Sequence, residues 1–168
     1  MLRRLIVTLT LTGLVGLLAG TAVTASATGP GQRDLAEVRA ATAPLHRTTA
    51  AESAGYQLLP GLDHCFENPG VGAMGFHYIN PGLLDLDLDP RQPEALVYAP
   101  DDRGRLQLAA VEYIVPAEPW DAQHSGLPQV LGQHLHLNQA LGVYVLHAWI
   151  FKNNPAGIFE DWNPNVTC

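Results

Sequence analysis

The hydrophobic pattern begins with an apolar stretch over residues 5–19, preceded by Arg3 and Arg4 and followed by Ala25-Ser26-Ala27. A basic start, a short apolar middle and small residues at a cleavage site are the features of a secretory signal peptide. Residues 1–27 are therefore expected to be removed, residues 28–33 to form a flexible leader, and residues 34–168 to fold as a single globular domain. The rival reading is an uncleaved anchor, but the apolar run falls short of the ~20 residues that a stable span requires. No membrane span is expected after cleavage, and the domain is expected to be secreted or extracytoplasmic.

Past the leader, residues 34–54 are mostly good helix formers, with Leu35, Val38 and Leu45 at roughly helical spacing. Asp34 followed by Glu37 has the form of a capping box, and Pro44 predicts a kink or a division into two helices before Gly55. Residues 56–75, rich in glycine and proline, read as ordered loop. A short strand is expected at Phe76-His77-Tyr78-Ile79, and the Leu/Asp alternation of residues 84–89 reads as loop because aspartate is a poor strand former and Pro90 closes the run. Residues 95–99 and 106–115 are strand-like and flank Pro100-Asp101-Asp102-Arg103-Gly104, a composition that predicts a β-hairpin. Residues 116–133 show no sustained period, and residues 143–151 form a β-branched and aromatic run expected to be a central strand. The sum is an α+β fold: an N-terminal helix, kinked near Pro44, packed on a small, mainly antiparallel sheet with long ordered loops.

Charge narrows the partners. The chain carries a formal net charge of −7, and loss of Arg3 and Arg4 makes the mature part more acidic still. Such a domain is repelled by phosphate backbones, so nucleic acid is not an expected partner. The two cysteines, Cys65 and Cys168, are an even pair, which in an oxidising compartment reads as one disulfide tying the last residue to an early loop. Service as metal ligands or redox thiols is the alternative, and no Cys-x-x-Cys pair supports it.

Strand parity locates the candidate chemistry, since alternate residues share a face. Glu112 falls in a row with Leu106, Leu108, Ala110 and Ile114, His147 in a row with Val143, Val145, Trp149 and Phe151, and His77 beside Ile79. A buried carboxylate must be paired, metal-bound or protonated. Imidazole with carboxylate is an ordinary ligand set for zinc, iron or copper. If the strands are neighbours, His77, Glu112 and His147 converge on one transition-metal ion, with His134 or His136 as a fourth ligand when His134-Leu135-His136 is extended. No other cofactor is implied. A His-x-His pair resembles the cupin metal site, but Leu137-Asn138-Gln139 stands where the glutamate of that motif is expected. Each residue also has a purely structural reading: a core histidine donating to a carbonyl, or Glu112 paired with Arg103 or Arg105. Neither Ser53 nor Ser125 lies in a nucleophile elbow, and Gly70-Val71-Gly72-Ala73 lacks the helix of a phosphate loop. No catalytic residue set is fixed, so enzyme activity stays open.

Met74-Gly75-Phe76-His77-Tyr78, Pro93-Glu94-Ala95-Leu96-Val97-Tyr98, Val111-Glu112-Tyr113, Leu146-His147-Ala148-Trp149 and the ending from Asn154-Pro155 through Trp162-Asn163-Pro164 to Cys168 together resemble a family of small, exported bacterial proteins of uncharacterised function. The resemblance spans most of the mature chain and implies no activity, although its blocks include His77, Glu112 and His147. Two functions follow from the residues: an exported domain with a metal site on its sheet, binding or enzymatic, and a non-catalytic, metal-free extracytoplasmic domain acting through protein, glycan or small-molecule contacts.

Overall fold

The computed structural model describes residues 30–168; the signal-peptide expectation for residues 1–27 lies outside them. Helix α1 spans Pro30–Thr42, a 3-10 turn covers Ala43–Leu45, and α2 spans Thr48–Ser53. The interruption at Pro44 is the expected one, since proline removes a helical N–H and clashes with the preceding turn. The start differs. Helix begins within the expected leader, with Pro30 at its first position, where proline's missing donor costs nothing; Asp34 and Glu37 lie inside the helix, so there is no capping box.

Eight strands follow: β1 Phe66–Asn68, β2 Gly72–Ile79, β3 Ala95–Pro100, β4 Leu106–Pro116, β5 Gln129–Val130, β6 Gln133–His134, β7 His136–Asn138 and β8 Val143–Ala148, with helix α3 at Ala117–Gln123 between β4 and β5. Six of them form one antiparallel sheet in the order β1-β2-β3-β4-β8-β7, and β5 and β6 pair separately. The α+β architecture and the β3–β4 hairpin are as the pattern predicts. Three features are not. Residues 66–75 contain the β1–β2 hairpin where loop was expected, residues 117–123 form a helix, and the last strand ends at Ala148 rather than Phe151.

The helices cover one face of the sheet, where Val38, Ala51, Tyr78, Leu96, Tyr98, Leu108, Val111, Tyr113 and Leu146 share one core cluster. Tyrosine hydroxyls on that side are engaged: Tyr113 donates to the Pro90 carbonyl at 2.7 Å, Tyr56 to Pro93 at 2.8 Å, and Tyr98 to Leu45. The other face carries Ala95, Ile79, Ile114 and Val145 in one cluster and Val97, Ala110 and Trp149 in another. A bulge in β4 shapes this division. Val97 pairs with Ala110 but Tyr98 pairs with Leu108, leaving Ala109 extra. The insertion reverses parity, so Leu106 and Leu108 pack on the helical side with Val111 and Tyr113, not in the row of Glu112 that simple alternation assigns. Phe151, past the end of β8, likewise packs on the helical side.

Candidate metal centre and its pocket

Register brings the three candidate ligands together. Glu112 on β4 lies directly opposite His147 on β8. Two strands over, His77 on β2 pairs with Val97, and Ala95, the neighbouring same-face residue of β3, pairs with Glu112. Strands β2 and β4 flank β3 at about twice the ~4.8 Å strand spacing. The ring and the carboxylate meet diagonally over that gap, across β3 where it presents Ala95 and Val97. His77 Nε2 stands 3.3 Å from His147 Nε2 and 3.6 Å from Glu112 Oε2, and His147 Nε2 is 3.8 Å from Glu112 Oε1. All three residues are buried, at 6 %, 7 % and 1 % exposure for His77, Glu112 and His147. They are a group of ligand-bearing side chains able to hold one metal ion.

A fourth residue, Asp161, completes the cluster. Its two carboxylate oxygens lie 3.1 Å from His147 Nδ1 and 3.1 Å from His136 Nε2. Nothing local in Glu160-Asp161-Trp162 announces this role, because the segment is coil held by distant contacts. Asn163 exchanges backbone hydrogen bonds with Ala73 of β2, the Trp149 indole donates to the Glu160 carbonyl, and Asn154 Nδ2 donates to the Trp162 carbonyl. The backbone approach at β2 admits no side chain, since a Cβ on Gly72 would sit 2.4 Å from the Asn163 oxygen. Cys65 and Cys168 are joined by a disulfide, with Cα atoms 5.7 Å apart, which ties this tail to the loop before β1. Gly75, two residues before His77, is needed for a similar reason: its φ is +110° and a Cβ there would meet the Tyr98 carbonyl at 2.4 Å.

The remaining sequence candidates lie elsewhere. His136 is half-exposed, faces Asp161 and does not enter the three-residue group. His134 is exposed on β6, opposite Gln129. The two do not act as an extended His-x-His pair because β6 and β7 belong to different sheets, with buried Leu135 between them. Arg105 pairs with Asp101 at 2.7 Å inside the hairpin turn, so Glu112 finds its partners among histidines rather than hairpin arginines. No protein-family model, curated protein or solved structure matches the chain.

Electrostatics inside the cluster follow from burial. His77 is pushed down to about 3 by desolvation, with His147 adding to the effect, so its imidazole is neutral with a free lone pair. Burial also works to lower His147, but the Glu112 and Asp161 carboxylates outweigh it and raise that ring. Burial raises Glu112 against the opposing pull of His147. Burial would raise Asp161 too, yet its hydrogen bond and charge interaction with His147 hold it below the ordinary carboxylate range. His77 Nδ1 is buried and finds no hydrogen-bond partner among the described residues.

The group forms one end of a cavity of about 350 Å³. Its walls come from the sheet face, from Leu59 and Leu62 in the segment leading into β1, from Phe66 at the start of β1, and from Trp162 in the tail. The disulfide therefore joins two segments that each contribute to the lining, Cys65 being adjacent to Phe66 and Cys168 closing the tail that carries Trp162.

Proposed function

We propose that the domain is an extracytoplasmic metal-binding protein whose ion is held by His77, Glu112 and His147. The observation that carries this reading is the convergence of two imidazole nitrogens and a carboxylate within 3.8 Å of one another, from three strands, in a buried site. Ligands about 3.4 Å apart are what tetrahedral geometry with ~2.1 Å bonds demands, which fits zinc and leaves iron and copper as alternatives. Asp161 supports the reading as the outer carboxylate that fixes the tautomer and orientation of a ligating histidine. Three protein ligands with an open side toward a cavity resemble catalytic rather than structural sites. An ion there supplies Lewis acidity and a bound water of lowered pKa, suited to attack on an electrophile. Export is supported by the disulfide, a bond that persists in oxidising compartments. Membership in the exported bacterial family suggested by the Met74–Tyr78 and Trp162–Cys168 motifs fits the same picture.

A metal-free polar core is the second reading, favoured by the contacts that His77, Glu112, His147 and Asp161 make with one another. Metal analysis of untagged protein separates the two. The metal-site reading expects close to one equivalent of a transition metal after reconstitution and a melting midpoint raised by the ion. Less than a tenth of an equivalent removes it.

A further inference from the structure

We infer that the cavity over the cluster takes a small hydrocarbon-rich molecule with a single oxygen-bearing end, the tail lying against the sheet face and the oxygen reaching the metal group. The inference rests on the metal-site reading for its head group only. The tail argument is independent of it.

Most of the polarity in the cavity comes from one cluster of side chains. His77, Glu112, His147 and Asp161 supply it, while Ile79, Ile114, Val143 and Val145 from the strands and Leu59 and Leu62 from the facing loop present only hydrocarbon. Asn138, opposite Val143, is the other polar side chain of the lining: its oxygen accepts the Leu141 N–H, which leaves its amide nitrogen as one isolated polar group on an otherwise hydrocarbon wall. An occupant rich in hydroxyls or charges would lose hydration along these walls without compensation. A chain of methylenes gains from the same burial. At about 30 Å³ per water-sized group, 350 Å³ has room for on the order of ten carbon atoms. Cavities of this size and character are those that bind small molecules in other proteins. Charge narrows the head group further. Glu112 and Asp161 disfavour an anion in the metal-free protein, whereas a divalent ion offsets both, so a carboxylate head requires the metal and a neutral hydroxyl does not.

Octanoate, acetate and 1-octanol are the probes. The full chain, purified untagged, is titrated calorimetrically in its zinc-loaded and metal-free forms. Zinc-loaded protein is expected to bind octanoate at least about 30-fold more tightly than acetate, because six further carbons enter the cavity; metal-free protein is expected to bind 1-octanol but not octanoate. Val143→Trp, at the half-buried rim, fills the tail space and should bring octanoate to within about threefold of acetate while leaving zinc affinity unchanged. Leu62→Trp from the opposite wall is the second variant, both being checked by thermal melting. If neither folds, the preference of the wild-type protein decides. Equal binding of octanoate and acetate by zinc-loaded protein overturns the inference and leaves the metal site standing. Absence of zinc binding with tail-dependent 1-octanol binding retained overturns the metal reading and leaves the cavity's ligand class intact.

Discussion

On the helix-covered face of the sheet, Leu96, Tyr98, Val111 and Tyr113 are fully buried and packed against α1, α2 and the turn between them, and the tyrosine hydroxyls reach backbone carbonyls. On the opposite face, built from the same strands one residue out of phase, the side chains at corresponding depth are His77, Glu112 and His147, and beside them lies an open cavity. The first face resembles the interior of any small domain, where close packing supplies stability. The second keeps packed clusters around Val97, Ala110 and Trp149 and around Ala95, Ile114 and Val145, but forgoes that gain where the cavity and the three ionisable side chains lie. Ionisable groups are desolvated there and space is left unfilled, both of which cost free energy unless something else binds. On the proposed function, one sheet separates the work of holding the fold from the work of holding a ligand, and the separation can be broken experimentally.

The largest effect expected is on metal binding. His77→Ala or His147→Ala should weaken zinc by more than the roughly 100-fold upper end of outer-shell substitutions, read by competition with a chromophoric chelator. Leu96→Ala on the packed face should do the reverse: a loss of about 2–5 kcal/mol in urea unfolding, with zinc affinity unchanged in the folded protein. If Leu96→Ala weakened zinc as much as it weakened the fold, the two faces would not be separable. Replacing both Cys65 and Cys168 by serine should cost roughly 2–5 kcal/mol, since the bridge closes a separation of 103 residues; because the bridge also joins the cavity walls, ligand affinity should fall with it. Asp161→Asn should weaken zinc by about 10–100-fold while moving the urea midpoint little.

The smallest effect sharpens the comparison through pH. Glu94 is buried just before β3 begins, and its Oε2 accepts the Ile114 N–H at 2.9 Å, while the neighbouring Pro93 carbonyl is taken by the Tyr56 hydroxyl. Burial pushes its carboxyl up to about 8 from an ordinary value of 4.5. The folded state therefore holds a proton that the unfolded chain has released, and stability from this group is full below about pH 4.5 and declines until pH reaches about 8. Glu94→Gln keeps an acceptor for Ile114 and should flatten that decline in urea melts at a series of pH values. An unchanged pH dependence would assign the decline to other groups.

Legibility in the sequence tracked how local each determinant is. The break at Pro44 and the turn at residues 100–104 are decided by a few adjacent residues, so they could be read directly. Parity placed His77, Glu112 and His147 among apolar neighbours, and register made those positions meet. The β4 bulge was not readable, because Ala109 and Ala110 present no contrast between one side and the other. Gly72 and Gly75 look like turn formers, yet they are required by close backbone contacts to Asn163 and Tyr98 inside a strand. Pro116 and Pro119 look like breakers, but they fall at the cap and first turn of α3, where proline is tolerated. Asp161 and Glu94 matter through distant partners, and neither lies in a periodic pattern. For Glu94 a signal did exist: a lone carboxylate directly ahead of the apolar run Ala95-Leu96-Val97-Tyr98-Ala99.

Anomalous diffraction at the zinc edge from crystals of the reconstituted protein tests the central claim most directly. The arrangement of β2, β4 and β8 predicts a single strong peak about 2.0–2.2 Å from His77 Nε2, His147 Nε2 and a Glu112 oxygen. A peak at His134, His124 or another surface histidine, or no peak with the three side chains still in mutual contact, would contradict it.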